Sequence, residues 1–454
     1  METEEQQPDS SDKPARPPIN WRRVIASALL IGIVVVPLYM AAHYVLAWIV
    51  FWRVDARIAE LKAQGAPMSW EELKPAPVSP EQNGATDFIA AGAAFDLAKD
   101  EEDALYNAPK LALAGKLSSK ELVMLDQAIQ HSRKTLALLE RGLQKSHVQF
   151  DGSWDQPLAF SYRGNSTLRR LTRLECGNAV LLAAHGQPTA AMQAISKSLQ
   201  LSEAAGQGPG LIPFLIRMAC KELTGTALQS VLALTRPSPQ ALKGAFEEFS
   251  QFNDFAALTP ALEAERASGI WCFDQLRHWR LSLGDLIGDE KGEPRIPSKL
   301  LPGSRGLMQL VYALDESFYL SAMQSQLDAV KRVEKAPWTT ALEQEPHLHF
   351  PCVASAVLLP VVTHTLQRTT EVKAELDAAR CGLAVVAFQQ ETGKDPASLA
   401  EVEKTLGWKL PLDPGSGKVF KLVHEGKLLR VESVLTENAG QDKTRQISFS
   451  VPEL

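Results

Sequence analysis

Apolar residues are concentrated first in one long stretch near the start of the chain, from Val24 to Trp52. This stretch contains no Asp, Glu, Lys or Arg, and fifteen of its residues are Leu, Ile, Val or Phe. Charged residues lie directly outside it, with Arg23 before and Arg53 after. About 20 such residues cross the hydrocarbon core of a bilayer. Residues 24–52 are therefore predicted to contact lipid, within a transmembrane anchor over residues 21–52.

Aromatic residues stand at both boundaries of the anchor. Trp21 lies at one end, and Tyr44, Trp48 and Trp52 crowd the other. Aromatic rings are enriched where a membrane protein crosses the headgroup layers. This placement supports the interpretation of the apolar run as a membrane span.

The residues that flank the anchor predict its processing and orientation. Residues 1–20 are polar and rich in Pro, which predicts a disordered tail. The apolar run is longer than the roughly 7–15 apolar residues of a signal peptide, so an uncleaved signal anchor is expected. Positive residues are slightly more numerous before the run than after it: Lys13, Arg16, Arg22 and Arg23 against Arg53, Arg57 and Lys62. This bias predicts a single pass with a cytoplasmic N-terminus and an extracytoplasmic C-terminal domain.

Residues 53–84 are predicted to form a juxtamembrane helix followed by a linker. The helical pattern continues to about Lys62, after which Gly and Pro recur. Residues 85–390 carry apolar positions at helical spacing and are predicted to form a helical domain. Within this domain, the segment at about 288–306 is rich in Gly, Pro and charge, which predicts a mobile insertion.

The clearest helical pattern in this domain predicts a pair of helices, Leu168–His185 and Pro188–Ala205. Gly186 ends the first, and Pro188 stands at the first position of the second. The pair resembles one tetratricopeptide-type hairpin, although no second copy follows at the 34-residue period of such repeats. We therefore expect a TPR-like or solenoid-like array of helical hairpins rather than a strict repeat protein.

Periodicity and capping residues predict the other helices. The clearest begins at Ser118, where Glu121 completes a capping box, and is expected to end at Gly142. The remaining predicted helices are Asp87–Lys99, Gly210–Thr235, Ser238–Phe252, Leu258–Leu283, Leu307–Val333 and Thr365–Gln390.

The last part of the chain, residues 391–454, changes character. Asp395 and Pro396 are predicted to begin a short helix that reaches Leu406. Two β-like runs, at 419–423 and 428–434, flank a Gly-containing turn and predict a hairpin, with a third strand at 447–451. The fold expected for the whole chain is mainly α, with an N-terminal transmembrane helix, a helical-hairpin ectodomain and a small C-terminal α+β module.

Composition narrows the range of functions. The formal net charge is −6, and no basic stripe of the kind that binds nucleic acid is visible, so no nucleic-acid partner is expected. The cysteine count is odd and the spacings are wide, which fits neither a disulfide framework nor a zinc motif. Buried thiols are expected, with one or two disulfides as the alternative outside the cytoplasm. The five cysteines are Cys176, Cys220, Cys272, Cys352 and Cys381.

Two groups of residues are candidates for chemistry. His347, His349 and Cys352 form the tightest cluster of metal-capable side chains, with His364 as a more distant fourth ligand. An ordinary loop between Pro346 and Pro351 explains the same residues, and no bound metal or cofactor is expected. Sequence motifs of hydrolases, zinc proteases and nucleotide-binding loops are absent, so no catalytic residue is assigned.

The second group is a predicted functional groove. Glu263, Glu265 and Arg266 lie on one helix and could act as a buried acid–base group, although an ion pair at i, i+3 explains them equally. The aromatic loop at 146–167, with Trp154 and Tyr162, is long enough to suggest a binding surface. The competing interpretation is that its rings only cover the helical core.

Two passages carry resemblances to known families. The order of anchor, Trp-Glu-Glu-Leu linker, helical hairpin, Leu211–Cys220 helix and Ala261–Arg266 stretch resembles uncharacterised bacterial single-pass membrane-anchored envelope proteins. This resemblance implies the bacterial inner membrane and no particular activity. The passage from Ala387 through Pro411-Leu412-Asp413-Pro414 resembles a module of type II secretion pseudopilins, although the pilin methylation signature is absent.

These observations lead to three hypotheses about function. The favoured one is binding or scaffolding at the cell envelope, with envelope proteins as partners and a helical-hairpin surface as the contact. The alternatives are an envelope hydrolase with an unrecognised site and an accessory subunit of a secretion system. A pocket with convergent polar groups would favour an enzyme, and an exposed apolar groove would favour partner binding.

Overall fold

The apolar run lies in one long helix, α1 (Trp21–Ala63), which continues well beyond it. The computed structural model describes residues 20–252, 254–282, 286, 304–338, 352–438 and 444–454. Within these ranges, α1 is the one helix that is long and apolar enough to span a membrane, as predicted. From residue 21 to residue 39 every residue is exposed among the residues that the structure describes.

The second half of α1 packs along another helix, α11 (Ser304–Lys335). The buried residues of α1 are Ala47, Val54 and Leu61, which follow one another at intervals of seven positions. This spacing keeps the three side chains on one face of the helix, as in a coiled-coil seam. The helix that carries the anchor is therefore also part of the folded body.

Four short helices follow the linker: α2 (Ala85–Ala94), α3 (Lys99–Leu113), α4 (Ser119–His131) and α5 (Arg133–Leu143). The predicted capping box is confirmed, since the Glu121 side chain accepts a hydrogen bond from the Ser118 N–H at 2.7 Å. The expected single helix from Ser118 to Gly142 was wrong, because the backbone tightens at Ser132. There the Ser132 N–H donates to both the Ala128 and Ile129 carbonyls, and α4 ends. Helix α3 was not predicted.

The predicted helical hairpin is confirmed as α6 (Arg163–Ala184) and α7 (Pro188–Ala205). Gly186 adopts φ +71°, a left-handed conformation that reverses the chain between them. Helix α6 begins at Arg163 rather than at Leu168, so the preceding aromatic loop is shorter than expected. Helix α8 (Leu211–Leu234) packs against both helices of the hairpin.

The remaining helices complete the body. They are α9 (Pro239–Ser250), α10 (Asp254–Arg277), α12 (Ser355–Leu358), α13 (Pro360–Thr392) and α14 (Leu399–Leu406), together with α11. The predicted insertion at about 288–306 lies outside the described residues, except for its last three, which begin α11. Helix α14 starts later than predicted, because the Ser398 side chain rather than Asp395 caps it by accepting from the Glu401 N–H.

A three-stranded antiparallel sheet closes the chain, as predicted. Its strands are β1 (Lys421–Glu425), β2 (Leu428–Asn438) and β3 (Thr444–Pro452), in the order β1-β2-β3. One face packs on α13, where the ring of Phe449 lies against Gly382 at a position that a Cβ would occupy. Buried residues of the sheet form one core with residues of the helices from α6 onwards, while α2 to α5 contribute to smaller separate clusters.

The Pro-Leu-Asp-Pro passage forms a turn around one buried carboxylate. Asp413 accepts hydrogen bonds from the Gly415 N–H at 3.1 Å, the Ser433 hydroxyl at 2.6 Å and the Val434 N–H at 3.1 Å. The Trp338 N–H donates to the Pro414 carbonyl at 2.9 Å. This motif therefore ties β2 to the segment after α11, which is a structural role.

Candidate ligand cavity

A cavity lies under the aromatic loop that follows α5. Its volume is about 970 Å³, and its walls come from the linker, the loop, the end of α7, the start of α8 and the first half of α10. Ligand pockets for small molecules typically measure about 300–1,000 Å³. The lining side chains are mainly apolar, with polar groups at the floor. Those on which the chemistry depends are Phe150, Trp154, Phe160, Phe214, Glu203 and Arg217.

The linker holds the loop in place through strand-like pairing. The Gly84 N–H donates to the His147 carbonyl at 2.8 Å, and the His147 N–H donates to the Gln82 carbonyl at 3.1 Å. The Asn83 side chain both donates to the Gln149 carbonyl at 2.8 Å and accepts from its N–H at 2.9 Å. Because Asn83 forms hydrogen bonds with both backbone groups of Gln149, the loop that roofs the cavity is held in a defined conformation.

In one wall, two aromatic rings, Trp154 and Phe160, line the cavity, and Trp70 and Tyr162 pack behind them. Phe160 packs against Trp70 at 5.7 Å, against Trp154 at 5.1 Å and against Tyr162 at 5.0 Å between ring centroids. Trp70 comes from the linker and is buried, and its indole N–H donates to the Ser153 carbonyl at 3.3 Å. Buried Phe160 packs with Ala264 of α10, as expected of a loop that covers the core, while partly buried Trp154 lines the cavity. Binding at this loop stays a prediction.

The floor of the cavity is a compact group of four charges, called the floor cluster below. Arg217 contacts Glu203 at 2.8 Å and Asp254 at 3.2 Å. Lys221 contacts Glu203 at 2.9 Å, forms a short ion pair with Asp254, and lies 4.7 Å from the centre of the Phe252 ring. Lys221 is fully buried. Two cations and two anions balance, which is the arrangement that buried charges require.

A Gly-rich turn at residues 206–210 forms the edge of the cavity. Gly208 and Gly210 have φ of +130° and +85°, a region that residues with a Cβ rarely adopt. At Gly210 a Cβ would also lie 2.9 Å from Oε1 of Glu265. That oxygen accepts a hydrogen bond from the Leu211 N–H at 2.8 Å, so Glu265 caps the N-terminus of α8.

Glu265 and Tyr162 share a poorly solvated environment beside this turn. Burial raises the pKa of Glu265, and the hydrogen bond from Leu211 partly opposes the increase. Burial also raises the pKa of Tyr162, and the nearby Glu265 adds to this effect. The Tyr162 hydroxyl donates to the Pro209 carbonyl at 3.4 Å. Glu265 and Tyr162 thus lie together against the Gly-rich turn that lines the cavity, whereas of these three predicted residues Trp154 alone lines the cavity directly.

The other two predicted groove residues lie apart from this edge. Glu263 and Arg266 form an ion pair at 3.8 Å, the i, i+3 pair that the sequence also allowed. Arg266 is buried, and burial lowers its pKa while Glu263 opposes the shift. Its Nε and Nη2 atoms have no hydrogen-bond partner among the described residues. Neither residue lines the cavity, so the predicted acid–base group of three is divided.

The predicted metal cluster is only partly within the described residues. His347 and His349 lie outside them, Cys352 is partly buried, and His364 is exposed on α13. The described ranges contain no group of three or more His, Cys, Asp or Glu that could hold a metal ion.

The predicted buried thiols are confirmed at four cysteines. Cys176, Cys220, Cys272 and Cys381 are buried and form no disulfide. Burial raises the pKa of Cys176 to about 12 and that of Cys220 to about 11, which makes these thiols poor nucleophiles.

Sequence reasoning missed the floor cluster. A signal was present, since Arg217 and Lys221 interrupt an apolar helix at i, i+4 and therefore lie on one face. Their partners Glu203 and Asp254 stand on two other helices, and no pattern in the sequence pairs them. Comparison with models of protein families, with curated proteins and with solved structures finds no match for this chain.

Proposed function

We propose that this protein is a membrane-anchored binding protein that holds a ligand in the cavity under the aromatic loop. The observation that supports this proposal is the combination of a drug-sized cavity, an aromatic wall and a roof fixed by backbone pairing. Preformed cavities with mostly apolar walls and few polar groups are typical of small-molecule binding.

The charges around the cavity favour an uncharged ligand. The floor cluster already pairs each cation with an anion. The N-terminus of α8, which could otherwise attract an anion, is capped by Glu265. A charged ligand would leave one unmatched charge in a poorly solvated space, which is costly. The proposed ligand is therefore neutral and largely apolar, with a hydrogen-bonding group that reaches Glu203 or Arg217.

Glu265 supports an enzyme as the alternative function. A carboxyl group whose pKa is raised by burial, beside a turn that lines a cavity, has a property of a general acid. Described residues offer no nucleophile paired with a base beside it, so a hydrolase would have to act through water. Glu265→Gln keeps an oxygen to cap α8 but removes the acid. Loss of hydrolysis of ester, amide or glycoside probes in this variant would support the alternative.

Two neighbouring residues of α10 offer a matched test of binding. Ala257 lines the cavity, whereas Ala256 is exposed. We expect native mass spectrometry of the full-length protein, released from detergent, to detect a co-purified ligand in the wild type and in Ala256→Trp. Ala257→Trp fills the cavity and should lose it. Equal retention in both variants, or no co-purified mass in the wild type, would contradict the proposal.

We further propose that α1 is a single-pass anchor in the bacterial inner membrane, with the body outside the cytoplasm. The positive residues before the apolar run support the orientation, and the resemblance to bacterial envelope proteins supports the membrane. Alkaline phosphatase fused after Leu454 should be active, because this enzyme requires an oxidising compartment. An inactive fusion, expressed at the same level, would reverse the orientation.

Envelope proteins are the proposed partners, with the α6–α7 hairpin as the kind of surface that solenoid proteins use. A role as an accessory subunit of a secretion system has narrower support. It rests on the resemblance of the C-terminal module to pseudopilins, in which the Asp413 turn leads into the hairpin.

A further inference from the structure

The position of α1 against the body determines which end of the body faces the bilayer. Arg277, at the C-terminal end of α10, lies 3.9 Å from the centre of the Phe51 ring and contacts Asp55 at 3.2 Å. Earlier in α10, Ala264 packs in the cluster that contains Trp70 of the linker. With increasing distance from the anchor, the chain therefore runs alongside α10 from its C-terminal end, at Arg277, towards its N-terminal end. The C-terminal end of α10 faces the membrane.

The height of the membrane surface along α1 follows from its sequence and exposure. From Arg23 to Tyr44 the helix rises about 32 Å, which matches a hydrocarbon core of about 30 Å. Tyr44, Trp48 and Trp52 are exposed and lie on one stripe at i, i+4 and i+8. Aromatic rings at this spacing mark the headgroup layer. Phe51 lies within that stretch, so Arg277 lies at headgroup level.

The turn that follows Arg277 points an aromatic ring outwards at this level. Trp279 is 42% exposed and has φ +58°, a conformation that bulky residues rarely adopt. Its ring stays 6.0 Å from Tyr312 of α11. The neighbours His278 and Arg280 are exposed. The fold thus holds an indole ring and a guanidinium beside each other on the membrane side of the body.

We propose that the turn at residues 278–282 rests in the phospholipid headgroup layer of the leaflet from which α1 emerges. Trp279 would insert its ring among the headgroups, and Arg280 would contact lipid phosphate. The proposal rests on the proposed membrane anchor and is independent of the ligand cavity. It gives the body a second lipid contact, more than 220 residues after the first. A second contact fixes the tilt of the body and so the direction in which the cavity opens.

Depth-dependent quenching tests this contact in the full-length protein. Trp279→Cys and Arg280→Cys are each labelled with a small environment-sensitive fluorophore in a Cys352→Ser background, since the other four cysteines are buried. The proteins are reconstituted into vesicles of equal parts phosphatidylcholine and phosphatidylglycerol that carry a nitroxide on a fraction of the headgroups. Trp48→Cys reports the anchor, and Val123→Cys on α4 reports an exposed site without a proposed lipid contact.

We expect quenching at 279 and 280 to approach that at 48 and to exceed that at 123 several-fold. Arg280→Cys keeps the Trp279 ring, so it remains informative if Trp279→Cys misfolds. Strong quenching at 48 with values at 279 and 280 as low as at 123 would overturn this inference and leave the anchor intact. Low quenching at 48 as well would overturn the anchor, and the headgroup contact with it.

Discussion

The two ends of α10 each carry a charged cluster with buried members, and the two clusters differ in charge balance. At the cavity end, the floor cluster joins two cations to two anions. At the membrane end, Arg277 alone serves two carboxylates, Glu316 and Asp55. Its Nε donates to Glu316 at 2.8 Å, and Glu316 is buried. We call this second group the anchor cluster.

The difference shows how the negative charges of each cluster are neutralised. In the floor cluster every charge has an opposite charge within contact distance in the protein. In the anchor cluster a proton can supply the missing positive charge. Burial raises the pKa of Glu316 to about 7, Asp55 and Asp274 add to the shift, and Arg277 opposes it. The membrane end is therefore expected to be sensitive to pH near neutrality.

The largest effect on stability is expected when the floor cluster is given the same charge imbalance as the anchor cluster, one cation for two carboxylates. Lys221→Met removes one fully buried cation and leaves Glu203 and Asp254 with Arg217 alone. Because a buried charge without its partner is strongly unfavourable, the free energy of unfolding should fall by about 3–5 kcal/mol. Chemical denaturation of the full-length protein in detergent measures this change.

Lys243→Met is the matched control for this substitution. Lys243 is exposed and lies 3.9 Å from Glu247, so its loss should change the free energy of unfolding by less than about 1 kcal/mol. If Lys221→Met were as mild as Lys243→Met, the floor cluster would not contribute as a buried network, and the contrast between the two ends of α10 would disappear.

A smaller effect is expected when pH is varied instead of sequence. Glu316 has a folded pKa of about 7 against an ordinary value of 4.5. The folded protein therefore binds more protons than the unfolded chain between these values. The stability contributed by Glu316 is fully present below pH 4.5 and is lost as pH rises towards 7. The loss should be on the order of 3 kcal/mol in the free energy of unfolding.

Unfolding measured across this pH range, with the wild type and two variants, tests the assignment. Glu316→Gln cannot titrate, so its stability profile should be flatter than that of the wild type by the amount assigned to Glu316. Glu247→Gln, at an exposed position on α9, should keep the wild-type profile. A wild-type profile that persists in Glu316→Gln would assign the pH dependence to another group.

Much of the fold could be predicted because local patterns determine it. The long apolar run, the hairpin around Gly186 and the three strands follow from periodicity, from a left-handed glycine and from alternation. The break at Ser132 could not be predicted, since α4 and α5 share one helical pattern and tertiary packing divides them. The start of α14 was predicted too early because Asp395 and Ser398 are both good capping residues, and Ser398 caps the helix in the structure.

The site could be predicted only in part. The length and aromatic content of the loop singled out Trp154, which lines the cavity, and Tyr162, which with Glu265 lies behind the Gly-rich turn. Their part in binding stays a prediction. Spacing placed Glu265 beside Glu263 and Arg266, although position 265 faces the start of α8 and the other two face away. Which face of a buried helix meets which neighbour depends on long-range contacts, such as the pairing of Arg217 with Asp254 across 37 positions. A single sequence carries no record of these contacts.

The smallest effect should come from the exposed member of the anchor cluster. The Asp55 side chain is 61% exposed, so its ion pair with Arg277 is screened by water, and Asp55→Asn should cost no more than about 1 kcal/mol. The same substitution removes a negative charge that raises the pKa of Glu316, so that pKa should fall. The midpoint of the stability loss with pH should then move to lower pH, while the packing of Arg277 over Phe51 is retained.

Arg57→Gln is the matched control. Arg57 is an exposed charge on the same helix that contacts Glu60 instead, so its loss should leave the midpoint unchanged. A midpoint that stays fixed or rises in Asp55→Asn would show that Glu316 does not sense the anchor helix, and the two clusters would differ only in charge count.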